Sequence, residues 1–283
     1  MAAKKNSGAV IGFTVFQYLV CFFIAIICLM PFIIMLVNAT RSSNDIMASA
    51  ISFIPGKNLM TNYKVFEGKS FNPWTGFLNS IIISVGATAC TIYFSTLTAY
   101  SIVAYDWKAR KAFFVLIMCV LMIPSQVTAI GFFQFMWKIK LTNSFIPLIV
   151  PAIAAPATVF YMRQYMQPSL SMEIVQSARI DGAGEFRTFN QIVLPLMKPA
   201  MATQAIFAFV ATWNALFLPS ILLTDREKWT MPIMVSQLAG DMYKTEYGAV
   251  YLGLVMTVLP LFVVYFLLSK YIIAGVALGG VKE

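Results

Sequence analysis

Six long stretches of the sequence contain no Asp, Glu, Lys, Arg or His, and most of their residues are apolar. They cover residues 6–40, 70–105, 112–137, 141–162, 199–224 and 247–269. The shortest holds 22 residues, and as an α-helix it would extend roughly 33 Å, enough to cross a hydrocarbon core of about 30 Å. The pattern predicts an all-α membrane protein with six transmembrane helices near residues 12–37, 77–103, 112–136, 145–166, 200–223 and 250–273.

Prolines and small residues distinguish several of the predicted spans. Each proline within a span removes one helix hydrogen bond, so we expect kinks; these prolines are Pro31, Pro124, Pro147, Pro151, Pro156, Pro219 and Pro260. Such kinks either leave room for a cavity or only fit the helices together. The second span is rich in small residues, which favours close helix packing over chemistry; they are Ser80, Ser84, Gly86, Ala87, Ala89, Ser95 and Ala99.

The composition agrees with a protein that lipid covers. Hydrophobic residues make up 60% of the chain and charged residues 11%, whereas soluble proteins carry about 25% charged residues. The net charge of +9 fits basic loops that face anionic lipid. Because no basic stripe alternates with exposed aromatic residues, nucleic-acid binding is not indicated.

The sequence lacks the groups that would let this chain supply its own energy or catalysis. It has no histidine, which removes the commonest general base and metal ligand, and no phosphate-binding loop. The predicted spans carry no ionisable group for proton coupling, although sodium coupling through carbonyl oxygens stays open. Four cysteines in apolar runs are interpreted as buried packing residues: Cys21, Cys28, Cys90 and Cys119. We therefore expect no enzyme, no metal site and no bound cofactor.

Basic residues suggest the topology. Eleven of them fall in segments that would be cytoplasmic if the N-terminus is inside, and nine in the others, seven of these in two longer loops. The bias predicts that both termini are cytoplasmic. We expect a first segment (1–76) with one span and an extracellular loop, a core domain (77–273) with the other five spans, and a cytoplasmic tail (274–283).

The cytoplasmic loop 167–199 predicts two short helices. Ser171 is a suitable N-cap for a helix over 172–181, Gly182 and Gly184 interrupt it, and a second helix runs to about Leu194. Asp181 is expected to cap that second helix. The resulting knob would either dock into a partner's groove or lie on the lipid surface; its apolar residues are Ile174, Val175, Ala178 and Ile180.

This loop resembles the EAA loop of binding-protein-dependent ABC importer permeases. The family pattern is Glu-Ala-Ala, three residues, Gly, nine residues and Ile-x-Leu-Pro. Here Gln176-Ser177-Ala178, Gly182 and Ile192-Val193-Leu194-Pro195 keep both spacings. Gln176 and Ser177 depart from the pattern, and Glu173 is one turn from the missing carboxylate. The resemblance to the carbohydrate branch, of the maltose-transporter G-subunit type, extends to Asn62-Tyr63, Asn79-Ser80, Trp213-Asn214 and residues 279–282.

The resemblance implies a type I ABC importer permease in a bacterial plasma membrane. It implies a second permease as heterodimer partner, two ATPase subunits that hold ATP and Mg²⁺, and an extracellular solute-binding protein. The C-terminal tail, with Gly280 and Lys282, would reach the ATPases. The coupling residues that it implies are Glu173, Gln176, Ser177, Ala178, Asp181, Gly182, Ile192, Leu194 and Pro195.

Three residues within predicted spans are candidates for the solute path. Gln126, Trp213 and Asn214 offer the aromatic face and amide groups with which proteins bind sugars, or they only join helices. The expected function is import of a carbohydrate, in particular an oligosaccharide, by alternating access. The alternatives are a stand-alone secondary carrier of a small polar solute and a structural scaffold that moves no solute.

Overall fold

The computed structural model describes residues 7–68, 72–240 and 245–280, and these residues form helices with no β-strand among them. Three short segments have other helical turns: 3₁₀ turns at Val150–Ile153 and Arg226–Lys228, and a π turn at Phe189–Val193. The α-helices in the described ranges are α1 (Ser7–Asn38), α2 (Ser43–Ala48), α3 (Leu59–Gly68), α4 (Pro73–Ala104), α5 (Arg110–Leu121), α6 (Ser125–Lys138), α7 (Ile146–Ile149), α8 (Pro156–Ser169), α9 (Met172–Ile180), α10 (Glu185–Thr188), α11 (Leu194–Leu196), α12 (Lys198–Trp213), α13 (Phe217–Leu222), α14 (Met231–Ala239) and α15 (Tyr247–Gly280).

The number of possible membrane spans lies between four and six. Four helical stretches in the described ranges are long and apolar enough to cross a bilayer alone: Gly12–Asn38, Pro73–Ala104, Ile146–Ser169 and Tyr247–Ser269. Two further helix pairs qualify together but are bent, by 99° between α5 and α6 and by 81° where α12 begins. If each bent pair counts as one span, the total is the predicted six.

Three of the predicted spans are not continuous α-helices, contrary to expectation. The fourth (145–166) consists of α7, the 3₁₀ turn Val150–Ile153 and α8, with residues 154 and 155 outside any helix. The third breaks between Leu121 and Ser125, and the fifth stops at Trp213 and restarts at Phe217. A proline lies beside each of these two breaks: Pro124 is the N-cap of α6, and Pro219 is the third residue of α13. Neither has an N–H to donate to the carbonyl four residues earlier. The prolines therefore do more than kink these two helices.

One of the spans also contains a charged residue. Arg163 lies inside the spanning stretch Ile146–Ser169, close to its C-terminal end. Its guanidinium carbon is 4.1 Å from the centroid of the Phe114 ring, an arrangement that attracts a cation to the ring's π face. The expectation that every span lacks an ionisable residue was therefore wrong at this position.

The cysteines are more exposed in the structure than the sequence predicted. All four are free thiols, as expected, but Cys21, Cys28 and Cys119 are exposed, and Cys90 is half-buried. They lie on outward faces of apolar helices, where a membrane rather than a protein core would cover them. The interpretation that they are buried packing residues was therefore wrong.

The chain forms two compact units. The first comprises the described residues of Met1–Lys69 and Gln237–Val255, and the second those of Ser70–Ser236 and Met256–Glu283. In the first unit the loop after α1 folds back on the end of that helix. Arg41 is almost fully buried there, and its guanidinium donates to Asn38 Oδ1 (2.9 Å), Ser49 O (2.8 Å) and Asp45 O (2.8 Å).

A single long helix, α4, organises the second unit. It packs along α8 and α12, and its small residues Ser80, Ser84, Ala87, Ser95 and Ala99 are buried. Small side chains let helix backbones approach closely. The packing interpretation is confirmed for these five residues, whereas Gly86 is half-buried and Ala89 is exposed, so it was wrong for Ala89.

Candidate functional site

Helix α9 begins and ends close to the predicted residues. Ser171 occupies the N-cap with an extended backbone, but its side chain makes no capping hydrogen bond. Glu173 lies in the first turn and Arg179 in the last, which suits the partial charges at the two helix ends. The predicted helix is confirmed, with Asp181 just beyond its last residue.

A Schellman turn ends α9 at Gly182. Gly182 has φ +78, its N–H donates to Arg179 O (3.1 Å), and the Ala183 N–H donates to Ala178 O (2.9 Å). This pair of bonds with a left-handed glycine defines the motif, so the expectation that Gly182 supplies the turn is confirmed. Asp181 is the C-cap of α9, and Gly184 is the N-cap of α10. The expectation that Asp181 caps the second helix was wrong, because three residues separate it from that helix.

The second helical segment runs further than predicted and contains a π turn. It continues from Glu185 through Phe189–Val193 to Leu196, past Pro195. The Leu194 N–H donates to Phe189 O, five residues back. Because Pro195 has no N–H, a regular i−4 bond is missing next to this point, which favours the wider turn.

The loop has a buried face and an exposed face. Val175 and Ala178 are buried, with Val175 in the same core cluster as Tyr100 of α4 and Met162 of α8. Two of the apolar residues predicted for docking therefore face the core, as their i, i+3 spacing allows. The exposed apolar side chains are Ile174, Ile180 (86% exposed) and Phe186 (72% exposed).

The other predicted coupling residues fall into two groups. Glu173, Gln176, Ser177, Asp181 and Pro195 are exposed, as is Gly182 at the turn. Ile192 and Leu194 are half-buried. Of the exposed group, all but Pro195 lie on α9 or on the turn that follows it, as Ile180 does.

An ion pair closes the turn between α9 and α10. Arg179 Nε lies 2.7 Å from Glu185 Oε1, and Arg179 Nη2 lies 3.3 Å from Oε2. Tyr105, the residue after α4, donates its hydroxyl hydrogen to Glu185 Oε2. Tyr100, within α4, donates to the same oxygen over 3.5 Å. One carboxylate therefore joins both loop helices to the end of α4.

The charges around Glu185 shift the pKa of two neighbours. Burial, followed by the hydrogen bond to the Glu185 carboxylate, raises the pKa of Tyr105 well above its usual value. The Glu185 hydrogen bond also raises the pKa of Arg179. Both donors are protonated at neutral pH even at their ordinary pKa values, so the ion pair and the tyrosine hydrogen bond coexist there, and the raised pKa values extend this range to more basic pH.

Sequence reasoning did not find this four-residue cluster. The local signal was present, since Arg179 and Glu185 have opposite charges and flank the Gly182 turn. The tyrosines gave no signal, because Tyr105 is 80 residues from Glu185. Only the packing of the loop helices on α4 brings them together.

Comparison with known proteins identifies the family. The family model described as "binding-protein-dependent transport system inner membrane component" matches residues 91–277, which include the loop and its Schellman turn. The chain belongs to this family. It is thus a transport permease and a multi-pass membrane protein, not an enzyme.

Individual relatives cover most of the permease. The arabinooligosaccharides transport system permease protein AraQ of Halalkalibacterium halodurans is 35% identical, over 92% of this chain and 93% of the relative. The diacetylchitobiose uptake system permease protein NgcG of Streptomyces coelicolor is 30% identical, over 90% and 84%. A chain of a bacterial ABC transporter involved in the import of the acidic polysaccharide alginate has a TM-score of 0.79 at 22% identity, over 96% and 100%. This last match shows the same fold.

The permease holds Trp213, one of the solute-path candidates, in a packed environment. Trp213 is 1% exposed, and its indole Nε1–H donates to Thr257 O over 2.8 Å. Phe209 stacks on its ring at a centroid distance of 5.6 Å, and Phe77 meets it edge to face at 5.8 Å. These contacts fit the packing interpretation, because they leave no ring face for a sugar.

The other two solute-path candidates are exposed. Asn214 follows directly after α12, and its side-chain N–H donates to Val210 O within the same helix (3.0 Å). Gln126 lies in the first turn of α6. Of the predicted tail residues, Gly280 is the last residue of α15, and Lys282 lies outside the described residues.

Proposed function

We propose that this permease forms half of the translocation pathway of an ABC importer for a carbohydrate, in particular an oligosaccharide. The observation that carries the proposal is the likeness to AraQ and NgcG, both named for oligosaccharide or chitobiose uptake, over at least 90% of this chain. The exposed Asn214, at the break after α12, is the strongest candidate for solute contact. Gln126 is the second candidate. Trp213, the buried residue before Asn214, would help to position Asn214.

The exposed side of the coupling loop is the proposed docking surface for an ATPase subunit. Ile174, Ile180 and Phe186 present apolar side chains, and Gln176 and Ser177 lie beside them. A helix that places apolar side chains in a partner's groove is a common recognition mode. Glu173 is exposed on the same helix and can supply the carboxylate that Gln176 lacks. Ala178, Ile192 and Leu194, which are buried or half-buried, would act indirectly by fixing the shape of the loop.

Energy would come from the partners. Two ATPase subunits would bind ATP and Mg²⁺, and this chain would bind no cofactor. Their closure would move the coupling loops, and the helices would then rock so that the cavity between two permeases changes sides. A second, different permease is expected as heterodimer partner, and the tail with Gly280 and Lys282 would approach the ATPases.

The proposed topology has both termini in the cytoplasm of a bacterial cell. It places the coupling loop on the inner side of the plasma membrane, next to the ATPases. Loops 38–76 and 224–250 would then face the extracellular solute-binding protein. The basic residues of the short loops support this orientation.

Reconstitution tests the proposal directly. The full complex in proteoliposomes should take up an oligosaccharide only with ATP and binding protein present. Uptake by the purified chain alone, driven by an ion gradient, would support the stand-alone carrier instead.

A matched pair of variants tests the docking surface. Ile180→Asp should abolish co-purification of the ATPase subunits, because a carboxylate would enter an apolar groove. Met47→Asp, at a residue of similar exposure (72%) on the loop proposed to face outward, should leave ATPase association unchanged. Equal association of both variants with the ATPases would remove the docking assignment.

A further inference from the structure

Three structural elements meet at the carboxylate of Glu185. Arg179 is in the last turn of α9, Glu185 is the first residue of α10, and Tyr105 directly follows α4. Arg179 donates to both carboxylate oxygens, and the two tyrosine hydroxyls donate to Oε2. The guanidinium carbon also lies 5.2 Å from the centroid of the Tyr105 ring.

The cluster of Glu185, Arg179, Tyr105 and Tyr100 is anchored in the buried core through Tyr100. Tyr100 is 2% exposed and belongs to the core cluster that holds Met162, Phe189 and Met197. Its ring packs on Phe189, at a centroid distance of 5.6 Å, and on Tyr105 at the same distance. Because side chains in such a core have little freedom, the tyrosines can hold Glu185 in one place.

Stability alone does not account for the cluster. The Arg179 and Glu185 side chains are 34% and 46% exposed, and exposed ion pairs contribute little to folding free energy. A bidentate arginine–carboxylate pair does fix orientation, however. Tyr105 is protonated across the neutral range even at its ordinary pKa, so its hydroxyl stays a donor and the orientation persists there.

The opposite end of α4 is tied to another loop. The Asn79 side-chain N–H donates to Glu227 O (2.8 Å) and Trp229 O (3.0 Å), and Ser80 Oγ accepts from the Met231 N–H (2.9 Å). Between Asn79 and Tyr105, α4 runs without a break, a distance of roughly 39 Å at about 1.5 Å per residue. A displacement applied at one end of this helix must therefore reach the other.

We infer that Glu185 is a positioning residue that locks the coupling loop to α4, so that loop movement is delivered to the loop 226–231 at the far end of that helix. The inference rests on the proposed function, since it needs an ATPase that moves the loop. Glu185 itself would contact neither solute nor nucleotide. Without the Glu185 side chain, the ATPase subunits would still hydrolyse ATP, but less of their movement would reach the transport path.

The test uses the complete complex in nanodiscs and proteoliposomes, with Glu185→Gln and Tyr105→Phe. The readout is the number of ATP molecules hydrolysed per sugar imported, together with co-purification of all subunits. Each variant should assemble and hydrolyse ATP, whereas sugar uptake should fall about tenfold, the effect expected for a lost hydrogen bond to a charged group. The double variant should lose no more than Glu185→Gln alone, because both changes remove the same link.

Asp106→Asn is the matched control. It also converts an acid to its amide next to Tyr105, but its ion pair with Arg110 (3.4 Å) joins residues only four apart. Its ATP-to-sugar ratio should equal that of the wild type. If Glu185→Gln fails to assemble, Tyr105→Phe, which removes a single oxygen atom, decides the question.

The outcomes separate the two proposals. If the wild-type complex shows no ATP-driven sugar uptake, the proposed function fails. If the wild type transports and both variants keep the wild-type ATP-to-sugar ratio, the positioning role of Glu185 is overturned while the proposed function stands.

Discussion

Asn143 and Asp225 exchange two hydrogen bonds across 82 residues of sequence. The Asn143 side-chain N–H donates to Asp225 Oδ2, and the Asp225 backbone N–H donates to Asn143 Oδ1 (3.1 Å). Lys228 Nζ donates to Asn143 O (2.7 Å), and the Asn143 N–H donates to Leu222 O (2.7 Å). The turn after α6 is therefore fixed to the segment that follows α13.

We expect Asn143→Ala to destabilise the permease. Asn143 has φ 56, a left-handed conformation that costs an alanine about 1–2 kcal/mol, and the side-chain hydrogen bonds add about 1 kcal/mol each. Asn143→Gly removes the hydrogen bonds without the backbone strain, so its melting temperature in detergent should lie between those of wild type and Asn143→Ala. Equal melting temperatures for all three proteins would contradict this account.

The turn at Gly182 permits a test that separates backbone strain from crowding. No atom lies within 4 Å of a Cβ built there, so a substitution is penalised only through φ +78. Gly182→Ala should cost about 1–2 kcal/mol, whereas Gly182→Asn should cost less, because asparagine tolerates this conformation. We expect sugar uptake per ATP to decrease in the order Gly, Asn, Ala. Full transport by Gly182→Ala would show that the turn can change shape without consequence.

Trp213 and Asn214 are adjacent in sequence but should respond differently to mutation. Trp213→Phe removes the donor to Thr257 O, which should lower stability by about 1–3 kcal/mol and leave the KM for sugar unchanged. Asn214→Ala loses only an exposed bond within its own helix, so we expect normal stability and a raised KM. Thermal unfolding and uptake kinetics on both variants check this. A raised KM for Trp213→Phe alone would reverse the assignment of their roles.

Gly56→Ala should disrupt the loop after α1. An added Cβ would lie 2.5 Å from Thr40 O and 2.9 Å from Arg41 Cα, and overpacking of this kind costs about 1–3 kcal/mol. Because both atoms belong to the backbone, a side-chain rotation cannot relieve the clash. Hydrogen exchange should become faster over residues 40–58. Gly68→Ala is the control, since nothing lies within 4 Å of its Cβ, and it should exchange like the wild type.

The hydropathy pattern predicted where the helices lie but not which of them break. Pro31 and Pro260 sit inside the unbroken helices α1 and α15, whereas Pro124 and Pro219 coincide with breaks. Each of these four prolines lacks the N–H that would donate to the carbonyl four residues earlier. Whether the helix continues depends on what satisfies the freed carbonyl and on the surrounding packing, and neither is visible in a local sequence window.

The coupling loop was largely predictable because its signals are local. Ser171 and Gly182 mark the two ends of α9 through their own backbone preferences, whereas Pro195 does not end the second helical segment, which runs on to Leu196. The cluster around Glu185 was not predictable, since Tyr105 joins it through the tertiary contact between α4 and the loop. The same limit applies to Asn143 and Asp225.

The exposed apolar surface of α1 has a consequence for the synthesis of the protein. The most apolar 18-residue window of the stretch Gly12–Asn38 has a mean hydropathy of 3.1, and none of it is buried. Exposed apolar surface of this size makes a chain prone to aggregation in water. We therefore expect this helix to enter the membrane while the downstream helices are still being synthesised.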